Sequence, residues 1–269
     1  MKKVLTLVTA AFALVSAGFV QPAAAETLRV GMECTYAPFN YKNEAGNLDG
    51  YDVDVAKGVA GIIGADLEFV CQKWDGMIPA LLANKFDLVI ASMSITNKRL
   101  EKMDFSTPYR FSIGRLVGRK DLGVKLFDDA GNPIADNFDG IKVGLERAST
   151  YASWFEAKLP GADVVLYDSN EALYLDLQNG RTDVIMTNPM KAYLKFLSKE
   201  EGSKFDIIGP EIDDEEYFGV GVGVGLRKGN EDLRDRISAA LKQLINDGSL
   251  ESYARKYFPF KLHKDEWGQ

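Results

Sequence analysis

Ala91-Ser92-Met93-Ser94-Ile95-Thr96-Asn97-Lys98-Arg99 is the stretch whose reading decides the fold. Ahead of it, Phe86-Asp87-Leu88-Val89-Ile90 is a short run of large aliphatic residues, which predicts a buried strand. Thr96 predicts the N-cap of a short helix that carries Arg99. The segment is therefore a strand exit with two hydroxyls and free backbone groups, followed closely by a guanidinium. Parallel α/β sheets bind ligands at the carboxyl ends of their strands. A planar fork of donors can hold a carboxylate bidentately. The competing reading is a plain strand-to-helix loop with a surface arginine.

Around this stretch, strand-like and helical runs alternate. Tyr51–Ile63 places Val53, Ala56, Val59, Ala60 and Ile63 on one helical face, and residues 75–84 carry a stripe of Met77, Ile78, Leu81 and Leu82. Phe111–Gly118 is extended, and 121–138 is polar and turn-rich, which predicts a surface excursion. A second α/β series follows. Its strands are predicted at 141–145, 164–167 and 183–186, and its helices at 151–158, 170–179 and 189–198. Residues 217–227 read as extended, and Glu231–Asn246 as a long amphipathic helix.

Residues 1–25 read as a secretory signal: Lys2 and Lys3, an apolar Val4–Val20, and a small-residue cleavage site at Ala23-Ala24-Ala25. A transmembrane anchor is the rival reading, which the cleavage site disfavours. The expected product is a soluble periplasmic protein of about 240 residues, enough for two medium domains. Removing Lys2 and Lys3 from the 32 basic residues leaves 30 against 39 acidic ones, a net charge of about −9. That balance argues against a nucleic-acid partner.

Cys34 and Cys71 each follow a predicted strand (Leu28–Met32 and Leu67–Val70), and the two strands are expected to be neighbours in a βαβ unit. An oxidising compartment favours a disulfide between them, worth about 3–4 kcal/mol in the chain-entropy model. Two free thiols are the alternative. With His263 alone in the C-terminal tail, these residues form no ligand cluster, so neither a metal nor a cofactor is expected.

Glu33-Cys34-Thr35-Tyr36-Ala37-Pro38-Phe39, Gly50-Tyr51-Asp52-Val53-Asp54-Val55-Ala56, the serine/arginine stretch, Phe105-Ser106-Thr107-Pro108-Tyr109 and Tyr217-Phe218-Gly219-Val220-Gly221 occur in that order. The set resembles the polar amino-acid-binding proteins of bacterial ABC importers, those for histidine, for lysine/arginine/ornithine and for opines. The resemblance implies an α/β, two-lobed periplasmic-binding-protein-like fold, each lobe a sheet flanked by helices. Lobe 1 would be 26–112 plus 217–269 and lobe 2 113–216, joined by a two-strand hinge near 111–115 and 214–219. It implies a monomer that captures a small-molecule amino acid or opine and delivers it to the permease subunits. Hinge closure around a ligand is a known physical mode of such folds.

By the same resemblance, Arg99 pairs with an α-carboxylate, and Ala91, Ser92 and Ser94 line the strand exit beside it. Ser149 and Thr150 close on the same group from the second lobe, where helix N-terminal N–H groups favour an anion. Plain N-capping is compatible with that role. Tyr36 and Trp74 would sandwich the ligand's side chain, and Glu33 would meet a cationic end. Two departures stand out: the family usually has glycine in place of Ala148, and many members have aspartate in place of Asn188. The missing charge at Asn188 fits an opine, with Arg147 as a partner for the extra carboxylate. The resemblance also admits an enzyme, a cyclohexadienyl dehydratase-like protein, which needs a poised acid or base; among the cleft candidates only Glu33 has that chemistry.

Overall fold

The computed structural model describes residues 25–269. The signal-sequence reading falls almost wholly outside that span. The chain enters on β1 (Thr27–Met32), turns through β2 (Thr35–Tyr36), β3 (Asn40–Lys42) and β4 (Leu48–Asp49), and forms α1 (Tyr51–Ile63). Then come β5 (Asp66–Cys71), α2 (Met77–Leu82), β6 (Leu88–Val89), α3 (Asn97–Leu100) and β7 (Met103–Phe105). A second series runs β8 (Gly114–Arg119), β9 (Lys142–Glu146), α4 (Thr150–Lys158), β10 (Asp163–Tyr167), α5 (Asn170–Gln178), β11 (Val184–Thr187), α6 (Pro189–Ala192) and β12 (Phe205–Ile212). The chain returns through α7 (Glu215–Phe218) to β13 (Gly225–Arg227), α8 (Glu231–Asn246) and α9 (Ser249–Arg255).

These elements build two five-stranded sheets, ordered β5-β1-β6-β13-β7 and β10-β9-β11-β8-β12. β13 makes the first sheet discontinuous in sequence: it pairs antiparallel with β6 and β7 after the whole second series has been laid down. Each sheet packs its own core. Val30, Met32, Tyr51, Val55 and Leu88 lie with Ile237 and Leu241 in one, while Leu116, Val143, Leu145, Phe155 and Val184 lie in the other. α8 covers the first sheet because Leu233, Ile237, Ala240, Leu241 and Leu244 fall on one helical stripe.

Two crossings join the sheets, and they are hydrogen-bonded to each other. Tyr109 N donates to Val222 O at 2.8 Å and Val222 N to Arg110 O at 2.9 Å. Ile95 N, on the serine/arginine stretch, donates to Gly221 O at 2.8 Å, so the crossings are tied to the strand exit that carries the site. Gly219 has φ 69°, and a Cβ there would lie 1.8 Å from the Ile95 carbonyl oxygen. Only glycine lets the return crossing approach so closely.

Some elements differ from the sequence reading. The return crossing begins as the single helical turn α7, capped by Asp214 Oδ1 accepting from Glu216 N at 3.2 Å, and only then becomes extended. The helix predicted at 75–84 is a 3₁₀ turn, Trp74–Gly76, running into α2. The helix predicted at 189–198 widens after α6 into a π-helical turn, Tyr193–Leu197. β12, α9 and the three-stranded sheet β2-β3-β4 went unpredicted.

Cys34 and Cys71 are bonded, with Cα atoms 5.6 Å apart. β1 and β5 run parallel with Met32 opposite Cys71, so the strand ends sit side by side as the βαβ reading expects.

Candidate functional site

Between the two sheets lies a narrow cleft with a free volume of about 40 Å³, at the carboxyl ends of β1, β6, β9 and β11. β6 delivers Ala91, Ser92 and Ser94; the loop after β1 delivers Glu33 and Tyr36; the turn before α2 delivers Trp74. From the second sheet come Ser149 and Thr150 at the head of α4, and Asn188 at the end of β11. With Arg99 on α3, all ten residues singled out in the sequence face this one cleft.

Arg99 is anchored from behind. Thr96 caps α3, its Oγ1 accepting from Arg99 N at 3.3 Å, and Arg99 Nη1 donates to the Ser94 carbonyl at 3.0 Å. The side chain is buried, which pushes its pKa down to about 10. Among the described residues no carboxylate forms an ion pair with it. Its guanidinium also lies 5.3 Å from the Trp74 ring centroid. A buried cation without a counter-ion is costly, so this end of the cleft is electrostatically incomplete and suited to an anion.

Ser92 adopts φ 55°, and its hydroxyl is already engaged. Oγ donates to Asp52 Oδ2 at 2.8 Å and accepts from Arg110 Nε at 3.2 Å. Asp52 is fully buried; Tyr109 OH and Asn40 Nδ2 also donate to it, at 2.9 and 2.8 Å. Burial raises the Asp52 pKa, with the Arg110 charge and these bonds opposing. Ser92 is therefore a strut that holds Arg110 against the cleft wall, while the Ser94 and Ser112 hydroxyls are hydrogen-bonded to each other at 2.7 Å. Arg110 faces the cleft as a second guanidinium, stacked 4.4 Å from the Phe39 ring centroid.

On the opposite wall, Ser149 Oγ caps α4 by accepting from Ala152 N at 3.1 Å. Ala148 just before it sits at φ 59°, the left-handed region, which explains why glycine suits this position. Arg147 turns away: its Nε pairs with Asp168 Oδ1 at 2.8 Å on the surface. It therefore does not serve as the carboxylate partner expected from the sequence. Asn188 Oδ1 accepts from Met190 N and Lys191 N at 3.0 and 3.2 Å, capping α6. The amide orientation follows from that cap, and it leaves Nδ2, a donor, for the cleft.

The far end has the opposite polarity. Glu33 and Glu146 both line it, and Asn170 Nδ2 donates to Glu146 Oε1 at 2.7 Å. Burial, then the Glu33 charge, push the Glu146 pKa up to about 8. Burial also raises Glu33, opposed by Lys191. Lys191 is buried with its Nζ 3.9 Å from the Tyr36 ring centroid, and burial pushes its pKa down to about 8. Sequence reasoning missed Arg110, Glu146 and Lys191. The strand-end rule applied to Ser92 and Ser94 would have found Glu146, the last residue of β9.

Residues 28–260 match the family model of the bacterial extracellular solute-binding proteins, family 3. The lysine/arginine/ornithine-binding periplasmic protein of Escherichia coli K12 is 33% identical over 98% of this chain and 100% of its own length. The L-arginine-binding protein of Pseudomonas aeruginosa is 34% identical over 90% and 91%. Among solved structures, a Salmonella typhimurium periplasmic binding protein of high arginine specificity matches at 31% identity and a TM-score of 0.77. That match covers 87% of this chain and 100% of the other. The sheets, the hinged crossings and these likenesses agree: the chain belongs to the bacterial extracellular solute-binding proteins, family 3.

Proposed function

We propose that this protein is a periplasmic receptor of an ABC importer. It captures a polar or basic amino acid, or an amino-acid conjugate, between its lobes and presents the closed form to the permease. The carrying observation is Arg99, buried at the cleft without a carboxylate partner among the described residues. In this reading Arg99 takes the ligand's α-carboxylate, aided by Ser94, by the backbone at Ala91 and Ser92, and by Ser149 and Thr150 at the head of α4. Tyr36 and Trp74 flank the side chain, and Glu33 meets its far end. Lobe 1 is 26–112 plus 217–269 and lobe 2 is 113–216, with a leader of 25 residues removed on export.

A specific observation favours a conjugate whose α-nitrogen carries a further carboxylate, as in opines. Asn188 turns a donor to the cleft, and Arg110 supplies a second guanidinium. Both suit an added anion better than a free ammonium.

A thermal-shift screen over amino acids and opines tests the reading. A ligand at 100 times its Kd stabilises the folded state by about 2.7 kcal/mol. A basic amino acid or conjugate is expected to raise Tm, and Arg99→Ala is expected to abolish the rise. No turnover of prephenate or arogenate is expected in the same samples; turnover would favour the dehydratase reading instead.

A further inference from the structure

Arg110 lines the ligand cleft, but Phe111, the next residue, lines a separate groove across the crossing, and only Ser112 and Ile113 border both. The groove has a free volume of about 780 Å³, within the roughly 300–1,000 Å³ range of small-molecule sites. Three structural units wall it. Met190, Tyr193 and Leu194 come from α6 and the turn after it, Val220 from the return crossing, and Phe258, Phe260 and Trp267 from the segment beyond α9. Among the described residues, three of the eight large hydrophobic side chains left exposed, Tyr193, Val220 and Phe260, gather here. Apolar surface concentrated in one concave place marks a binding site more than scattered exposure does.

The rim is charged on one side only. Lys261 and Lys264 are already answered, by Asp265 at 2.6 Å and Glu266 at 3.6 Å. Glu211, Asp213 and Glu215 line the facing edge, and among the described residues none of the three forms an ion pair. We propose that the groove is a second binding site, for a small amphipathic cation with an aromatic or aliphatic body. The rings of Tyr193, Phe260 and Trp267 take the body and can face its charge, and the three carboxylates attract the charge. The concave shape suits a small molecule rather than a protein contact, which takes roughly 800 Å² per partner.

Because both lobes and a crossing wall the groove, an occupant touching all three favours the lobe arrangement seen here. It is therefore linked to closure, and by reciprocity it tightens the cleft ligand as that ligand tightens it. This linkage rests on the amino-acid-binding reading; the groove itself does not.

Tetraphenylphosphonium and tetraphenylborate, of one shape and opposite charge, provide the test. Calorimetry on the full mature protein at low ionic strength, without amino acid, is expected to show one-site binding of the cation and at least about tenfold weaker binding of the anion. Tyr193→Ser with Phe260→Ser, both at exposed positions, should weaken the cation about tenfold. Glu211→Gln, Asp213→Asn and Glu215→Gln together should narrow the cation-to-anion preference. Glu44→Gln, Glu68→Gln and Glu200→Gln, which remove the same charge elsewhere, should leave it. Equal narrowing in both triple variants assigns the preference to net charge and overturns the acidic rim. Unaltered cation binding in the serine pair puts the cation elsewhere and overturns the site. Binding of neither ion also overturns it, and a dimer that the serine pair dissolves would then identify a second copy of the chain as the occupant. With the cation saturating, the Kd of L-arginine is expected to fall about fivefold; an unchanged Kd overturns the linkage. A protein that binds the cation but no L-arginine counts against the cleft ligand and leaves the groove standing.

Discussion

Arg99 illustrates how a single residue divides affinity from stability. Its charge is buried and unanswered within the described protein, so under the proposed function it serves binding at the fold's expense. Arg99→Ala is expected to cost about 2–5 kcal/mol of binding, the range for removing one partner of a buried charge pair. The ligand-free protein should lose little or no Tm, because the burial cost of the guanidinium disappears with it. Calorimetry and thermal unfolding on one preparation check both halves; near-normal affinity removes Arg99 from the site. At Asn188, substitution by aspartate keeps the α6 cap and adds charge, since a carboxylate oxygen can accept from the same two N–H groups. Competitive binding should then show arginine improved and a ligand with an extra carboxylate weakened. No gain for arginine would sink the conjugate reading. Ala148→Gly relieves a left-handed alanine at φ 59°, a strain of about 1–2 kcal/mol, partly offset by a more flexible unfolded chain. A small rise in Tm is expected, and a fall would show that the strain is absent. Of the ten cleft residues, those on the Ala91–Arg99 stretch were legible as a strand exit followed by a capped helix, and the rest came from the resemblance. Arg110 and Lys191 were legible from neither, since their roles depend on which side a crossing and a helix present after folding. Arg147 misled because the chain beyond β9 turns it toward Asp168.

At the scale of elements, the disulfide joins the loop bearing Glu33 and Tyr36 to the end of the edge strand β5. Its two cysteines are 37 positions apart, and closing such a loop contributes roughly 4 kcal/mol in the chain-entropy model. Reduction, or paired Cys34→Ala and Cys71→Ala, should lower the denaturation midpoint and weaken binding through the loosened loop. Unchanged urea unfolding would contradict this. The elements that the sequence revealed are those with an unmistakable period, such as α1 and α8, or a short apolar run, such as β6 and β11. β12 escaped because Gly209 and Pro210 interrupt it. Its register shifts between Ile208 and Ile212, where the pairing with β8 is irregular, and tertiary contact rather than propensity keeps it a strand. The strands β2, β3 and β4 are only two or three residues each, below any periodic signal. The return to lobe 1 through β13 has no local signature either; it came from resemblance, and the antiparallel pairing with β6 and β7 supplies its physical basis.

The molecule as a whole is captured with its lobes in contact. Trp74 Nε1 donates across the cleft to the Ala148 carbonyl at 3.3 Å, and Lys191 lies over Tyr36. Met190 and Leu194, beyond β11, pack against the core of the first lobe. A hinge of two mutually bonded crossings permits these contacts to form and break together. Ligand is therefore expected to reduce the radius of gyration in small-angle scattering, and an unchanged radius at saturation would argue for a rigid site. A sharper test lies outside the cleft. Lys195, on the π-helical turn after α6, is exposed and stands 5.0 Å from the ring centroid of Tyr41 on β3. It does not line the ligand cleft, so it acts on affinity only by favouring closure. An exposed cation–π contact is worth about 0.5–1 kcal/mol. Lys195→Ala should therefore weaken ligand binding roughly two- to fivefold by shifting the population toward the open form. The same variant should show a larger ligand-free radius where the open and closed forms are both populated. Unchanged affinity and an unchanged radius would mean that the lobes are held together by contacts other than these, and that closure is not what the ligand controls.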